Sequence, residues 1–200
     1  MYIPSYYKEA DFPKLLSFIQ AHPFALLCTS GPGGIMGTHL PLVVERKENT
    51  VIITSHMARP NPQWKDFESG TEILIVFQGP HGYVSPSNYE KKQNVPTWNY
   101  IAVHAYGKAK LLPDSYPVLE KTIATFEPGF YSQWKELSAE YKEGMVKGIV
   151  SFEIEIERLE GKFKMSQNKT AQERENVIHT FENSGDGAAV ELAAAMKKNK

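Results

Sequence analysis

The chain has 200 residues, 42% of them hydrophobic and 22% charged, which suits one domain or one domain with a small appendage and excludes global disorder. Its 22 Lys and Arg against 23 Asp and Glu leave a formal net charge of −1, so the bulk positive field of a non-specific DNA binder is absent and any DNA contact must be local. The single cysteine, Cys28, closes no internal disulfide and fits a reducing compartment, its ordinary reading being a buried thiol in a strand. The N-terminus lacks the basic patch and apolar stretch of a secretion signal. Apolar runs such as 73–77 fall far short of the roughly 20 residues needed to span a bilayer. A soluble, cytoplasmic chain with no membrane contact is expected.

Asp11 caps a helix in which Phe12, Leu15, Leu16 and Ile19 recur at helical spacing, with Pro13 in the first turn and Pro23 beyond the end. Residues 24–29 and 35–44 read as hairpin strands joined by Ser30-Gly31-Pro32-Gly33-Gly34, a turn without the Gly-Lys-Ser/Thr of a phosphate-cradling loop. Further β-rich runs cover 51–54 and 72–78, the second expected to break at Gly79-Pro80. Between them the Pro-interrupted segment 58–64 can open a short helix. Residues 83–100 read as a structured loop with room for one short strand, and 101–112 as a strand. Asp114 caps a helix carrying Tyr116, Leu119, Ile123 and Phe126 on one face; after Pro128-Gly129 a second helix repeats the pattern with Trp134, Leu137 and Tyr141. From Ile149, apolar Phe152, Ile154 and Ile156 alternate with Glu153, Glu155 and Glu157. The apolar parity then flips at Leu159, Phe163 and Met165, which predicts a bulge or turn near Gly161. Thr170-Ala171-Gln172-Glu173 is a capping box before Val177, Ile178 and Phe181, and Asp186 can start a last helix ending in Lys197 and Lys198. The predicted fold is α+β, mostly β with helices: a largely antiparallel barrel over 1–169 with a helical appendage of the same domain over 170–200. No Gly-x-Gly-x-x-Gly follows a strand, so a dinucleotide-binding fold is not supported.

The 6 histidines show no zinc-type spacing, and neither Ser85 nor Ser87 lies in Gly-x-Ser-x-Gly, so no metal ligand and no catalytic residue is assigned. More informative is the segment 54–64, where hydroxyls (Thr54, Ser55), an imidazole (His56), a guanidinium (Arg59) and amides (Asn61, Gln63) follow a strand. Hydroxyls and fresh helix amides donate to phosphate oxygens and an arginine fork grips them bidentately; an N-cap beside a surface arginine would look the same. Lys162 and Lys164 are two apart, so an extended chain presents both ammonium groups on one face near Gln167, Asn168 and Lys169. They suit a second anionic group or a solvated lysine face. Trp98, Asn99 and Tyr100 offer material for holding a flat heterocycle, or for core packing.

These segments together resemble a known family. Met1-Tyr2-Ile3-Pro4, Thr38-His39-Leu40-Pro41-Leu42, the stretch 56–64, Phe77-Gln78-Gly79-Pro80-His81-Gly82-Tyr83-Val84-Ser85-Pro86, the stretch 95–104 and Gly161-Lys162-Phe163-Lys164-Met165-Ser166-Gln167-Asn168 closely resemble the PaiB-like family of FMN-binding negative transcriptional regulators. The similarity covers nearly the whole chain, and Pro60 departs from the small residue expected there. The resemblance implies an FMN-binding split β-barrel related to the pyridoxamine-phosphate-oxidase-like flavoproteins, usually a homodimer with flavin at the subunit interface. It maps the phosphate grip onto Thr54, Ser55 and Arg59, with His56 in the same segment, and places Thr38 and His39 beside the flavin ring. Asn61, Gln63, Trp98 and Lys164 are weaker candidates from either subunit.

The resemblance further implies repression of sporulation and degradative-protease genes, with promoter DNA as a possible partner. The basic side chains Lys162, Lys164, Lys169, Arg174, Lys197, Lys198 and Lys200 gather in the C-terminal third, but an Ala/Gly-rich last helix offers little to base edges. The alternatives are an FMN-dependent oxidoreductase acting on a small molecule, and an empty flavin scaffold acting through protein contacts.

Overall fold

The computed structural model describes residues 1–48 and 50–199. Eight strands are described: β1 (Lys8–Glu9), β2 (Phe24–Gly31), β3 (Gly34–Pro41), β4 (Val43–Lys47), β5 (Thr50–Ala58), β6 (Ile73–Val84), β7 (Thr97–Leu111) and β8 (Ile149–Lys164). They form one sheet in the order β3-β2-β6-β7-β8-β5-β4, with β1 pairing β8 off that path. The helices are α1 (Phe12–Ala21), α2 (Tyr116–Phe126), α3 (Tyr131–Glu136), α4 (Ala139–Lys147), α5 (Ala171–Glu182) and α6 (Gly187–Lys198). Short 3-10 segments include Pro62–Ser69 and Pro86–Asn88. The mostly antiparallel α+β class expected from the sequence is the one observed.

The chain divides into two compact units, one of residues 16–77 and 104–159, the other of residues 1–15, 78–103 and 160–200. In the first unit, β2 and β3 form the expected hairpin, with Leu26 opposite His39 and Cys28 opposite Gly37. The strand expected over 35–44 is two strands. Leu42 is buried and its N–H donates to the Pro23 carbonyl at 2.8 Å, which turns the chain out of β3 and into β4. β4 and β5 make a second hairpin, and β5 pairs antiparallel with β8 from Val51 opposite Ile156 to Ala58 opposite Ile149. Both faces of β5 are covered, which is why Val51, Ile52, Ile53 and Thr54 read as a continuous buried run rather than an alternation. Leu27, Ile53, Ile75, Phe77, Phe152 and Ile154 are fully buried and form the centre of this unit. The 3-10 segment after β5 inserts Phe67 against Phe152, with ring centroids 4.9 Å apart at 60°, a tilted aromatic contact.

Three further expectations need correction. β6 does not break at Gly79-Pro80: proline loses one N–H but accommodates extended backbone, and Pro80 is buried within the strand. β7 starts at Thr97, so four residues read as loop are strand. The single helix expected after Pro128-Gly129 is two, because Leu137 is extended (φ −64°, ψ 144°) and the Ser138 hydroxyl accepts from the Tyr141 N–H as a new N-cap. Trp134 is buried as its spacing implied, whereas Tyr141 stays half exposed.

The second unit holds the N-terminal segment, the ends of β6, β7 and β8, and the C-terminal helix pair. Burial along β8 falls on Val150, Phe152, Ile154 and Ile156 and then on Gly161 and Phe163, so the parity change read from the sequence is present within one strand. At Gly161 an added Cβ would lie 2.3 Å from Leu15, which explains why the side chain is missing there. Thr170 and Glu173 form the capping box of α5, and the Asp186 carboxylate accepts from Ala188 N–H to start α6. Val177, Ile178, Phe181, Leu192, Ala193 and Met196 are buried together. Arg174 donates to the carbonyls of Met196 and Asn199, satisfying the open end of α6.

Phe152 is the test of the first unit's core. Phe152→Ala is expected to lower unfolding stability by about 3–5 kcal/mol in urea titration. A loss of under about 1 kcal/mol would show that its ring is not packed as described.

Candidate functional site

The turn following β5 is fixed by one buried amide. Gln63 is fully buried; its Nε2 donates to Leu27 O (3.1 Å), Met36 O (3.1 Å) and Thr29 Oγ1 (3.3 Å), and its Oε1 accepts from Thr38 Oγ1 at 2.5 Å. Asn61 Nδ2 donates to Thr38 Oγ1 at 3.0 Å, while Asn61 Oδ1 accepts from the Gln63 N–H at 3.0 Å and caps the turn. The first helical amide, expected as a phosphate donor, is therefore already taken. Thr29 Oγ1 also donates to Asp66 Oδ2 at 2.6 Å. A Cβ on Gly31 would meet the Asp66 carboxylate at 2.0 Å, so the hairpin tip and the turn approach as closely as a glycine permits.

Of the expected phosphate grip, Thr54 and Ser55 are neighbours on a regular strand and point to opposite faces. Thr54 Oγ1 accepts from Lys121 Nζ at 3.2 Å, and that ammonium is ion-paired with Glu45. Ser55 Oγ donates to Pro41 O at 2.7 Å and is buried. The structure does not bring these two hydroxyls to one anion.

Arg59 is exposed at the end of β5, and one edge of its fork is held: Nε donates to Lys147 O and Nη2 to Ile149 O, each at 2.7 Å. No hydrogen bond of Nη1 is found among the described residues, so the Nη1/Nη2 edge of this exposed guanidinium keeps donors to offer. His39 is exposed on β3 and stacks on the exposed ring of Phe24, with centroids 5.8 Å apart at 22°. Phe24 carried no sequence signal beyond its place at a strand start; the register opposite Pro41 brings it beside His39.

His56 lies opposite Ser151 in the β5–β8 register. The imidazole Nδ1 and the Ser151 hydroxyl oxygen are both buried without a hydrogen-bond partner. Ser151 was not foreseen, because its buried neighbours Val150, Phe152 and Ile154 mark the other face of the strand. Burial pushes the His56 pKa below its ordinary 6.5, leaving the ring neutral at pH 7.

The two remaining candidates belong to the other unit. Trp98 is half exposed, with its indole edge-on to Tyr83 (6.0 Å, 73°) and tilted against His81 (5.7 Å, 56°). Lys164 donates to Thr97 Oγ1 and lies 5.9 Å from the Tyr7 ring. Its burial, and secondarily the charge of Lys162, lower its pKa.

A histidine whose folded pKa is depressed makes the unfolded chain the better proton acceptor, so stability is lost as pH falls below 6.5. Replacing His56 by Phe is expected to flatten the fall of Tm with pH between about 6.5 and 5. An unchanged slope would assign that titration to another group.

The family model described as "Putative FMN-binding domain" matches residues 1–158. The chain is 38% identical over 201 residues to "Protease synthase and sporulation protein PAI 2" of Bacillus subtilis (strain 168), covering 98% of this chain and 97% of that one. A solved FAD and heme binding protein from Mycobacterium smegmatis shares the fold at a TM-score of 0.61 and 14% identity, over 84% of this chain and 78% of that chain. The flavocytochrome Anf3 from Azotobacter vinelandii does so at 0.57 and 18%, over 81% and 72%. With one model spanning most of its length and one relative similar from end to end, the chain belongs to the FMN-binding domain family, the PaiB-like group that its motifs resemble.

Proposed function

We propose that the protein binds FMN and acts, as a homodimer, in the regulation of genes of the kind named in its Bacillus subtilis relative. The observation that carries the flavin reading is the anchored guanidinium of Arg59. Two carbonyls hold one edge of the fork, so the other edge is preoriented to take two phosphate oxygens at little entropic cost. Thr38 and Asn61 are held beside each other by the Gln63 amide, and the stacked pair His39–Phe24 offers a flat exposed surface. Gln63 itself has no exposed atom, so its role in this reading is to position Thr38 rather than to touch the flavin. Ser55 and Thr54 likewise shape the strand end through Pro41 O and Lys121. Trp98 is the surface a second copy would bring to the ring. When bound, FMN would supply a redox-active ring; the residues named here bind and orient it.

Regulation in this reading does not run through base reading by α6. Its exposed face carries Val190, Glu191 and Ala194, and two basic side chains nearby are engaged: Arg174 on the α6 carbonyls and Lys197 on Glu182. Lys198 is exposed, and Lys200 lies outside the described residues.

The test compares FMN with riboflavin, which lacks the phosphate. Arg59→Ala is expected to weaken FMN at least tenfold, about 1.4 kcal/mol, while riboflavin affinity, read by flavin fluorescence quenching, stays within about twofold. Equal losses for both ligands would move the phosphate away from Arg59, and no flavin binding by the wild-type chain would end the reading.

A further inference from the structure

The second unit contains a cavity of about 170 Å³ whose lining includes Tyr7, Tyr89, Thr97, Lys164, Ser166 and Lys169. It brings together the N-terminal segment, the approach to β7 and the turn after β8. Its lining carries two lysines and no carboxylate. Lys164 Nζ donates to Thr97 Oγ1, and Lys169 Nζ donates to Asn94 Oδ1 at 2.8 Å while lying 3.7 Å from the centre of the Tyr89 ring. These are neutral partners; each ammonium keeps further N–H donors, and neither forms a salt bridge among the described residues.

The turn that carries these groups is strained and braced. Ser166 is buried and has φ +61°, a left-handed conformation that disfavours any residue with a Cβ. Among the described residues the other non-glycine with positive φ, Glu48, sits in the β4–β5 hairpin turn, where that conformation is ordinary. Ser166 has no such excuse in the local chain. It is locked by Gln167, whose Oε1 accepts from Met165 N–H at 2.7 Å and whose Nε2 donates to Phe163 O, and by Lys169 N–H donating to Ser166 O at 3.1 Å. Asn99 Nδ2 donates to Ser166 Oγ at 2.8 Å, which fixes the hydroxyl as an acceptor on that side and leaves its proton to be donated elsewhere. Strain held by surrounding bonds beside a cavity is the pattern of a preorganised binding site.

We propose that this cavity binds a small oxyanion, a carboxylate- or phosphate-bearing molecule of one ring or less, held by Lys164 and Lys169 with the Ser166 hydroxyl donating. The volume of about 170 Å³ is close to the roughly 150 Å³ that accommodates a single benzene, which suits a ligand of that size. The anion would relieve both the desolvation of Lys164 and its repulsion by Lys162, the two causes that hold the Lys164 pKa down. Lys162 itself is turned away, donating to Tyr2 O at 3.2 Å. The site lies wholly within one unit and stands without the flavin reading.

The experiment titrates the full chain, in phosphate-free buffer at low salt, with inorganic phosphate and separately with benzoate, by calorimetry and by thermal shift. At least one probe is expected to bind the wild type with Kd below about 5 mM, and to raise its Tm as saturation is approached. Phosphate alone binding would assign the site to free phosphate-type anions, benzoate alone to carboxylates; either supports the proposal. Lys164→Met and Lys169→Met are each expected to weaken the probe at least tenfold, while Lys110→Met, an exposed lysine on β7, leaves it unchanged. Presaturation with FMN is expected to leave the probe Kd unchanged, and Lys169→Met to keep its FMN affinity. Absence of binding to the wild type, equal affinity in the three lysine variants, or competition between FMN and the probe would overturn the proposal. Should Lys164→Met fail to fold, Lys169→Met decides alone.

Discussion

A side-chain amide sealed away from water has to find every partner inside the protein, and Gln63 does so on two strands at once. Its nitrogen reaches the carbonyls of β2 and β3 and its oxygen takes the Thr38 proton. Leaving any of these groups unpaired would cost on the order of 1–3 kcal/mol, so the position of the 3-10 segment relative to the β2–β3 hairpin is set by hydrogen-bond satisfaction. From that follow the Asn61 cap, the placement of Phe67 in the core and the geometry of the strand end from which Arg59 projects.

Arg59 shows the same economy on the surface. An exposed arginine usually loses much of its side-chain freedom when it binds an anion. Here the carbonyls at the end of α4 and the start of β8 have removed that freedom beforehand. The Lys147 carbonyl is also one that a helix end leaves without a partner, so one side chain helps close α4 and presents a fork. The functional and the structural readings of this residue are not rivals.

Much of the fold was written in local patterns. The β2–β3 hairpin, the capping box at Thr170, the Asp186 cap and the alternation along β8 each depend on residues within a few positions of one another, and each is present. What escaped depends on contacts distant in sequence. The chain leaves β3 at Leu42 because of Pro23, and β6 continues through Pro80 because extended backbone suits the sheet around it. In the candidate site, residue types were read correctly as polar and clustered, but their directions were not. Period-two alternation already separates Thr54 from Ser55. By contrast, nothing local tells that Gln63 is buried, that Ser151 faces His56 across the ladder, or that Tyr7 and Tyr89 meet Lys164 at the end of β8 and Lys169 beyond it.

The close approach at Gly31 has a mechanical side. With Asp66 occupying the volume a side chain would need, and bonded to Thr29 two residues earlier on the same strand, the hairpin tip and the 3-10 segment have little slack between them. They shift together or not at all, as the low compressibility of close-packed interiors requires. A ligand that tugs on the segment after β5 would thus be felt at the far loop joining β2 and β3, a lever formed from the lack of one methyl group.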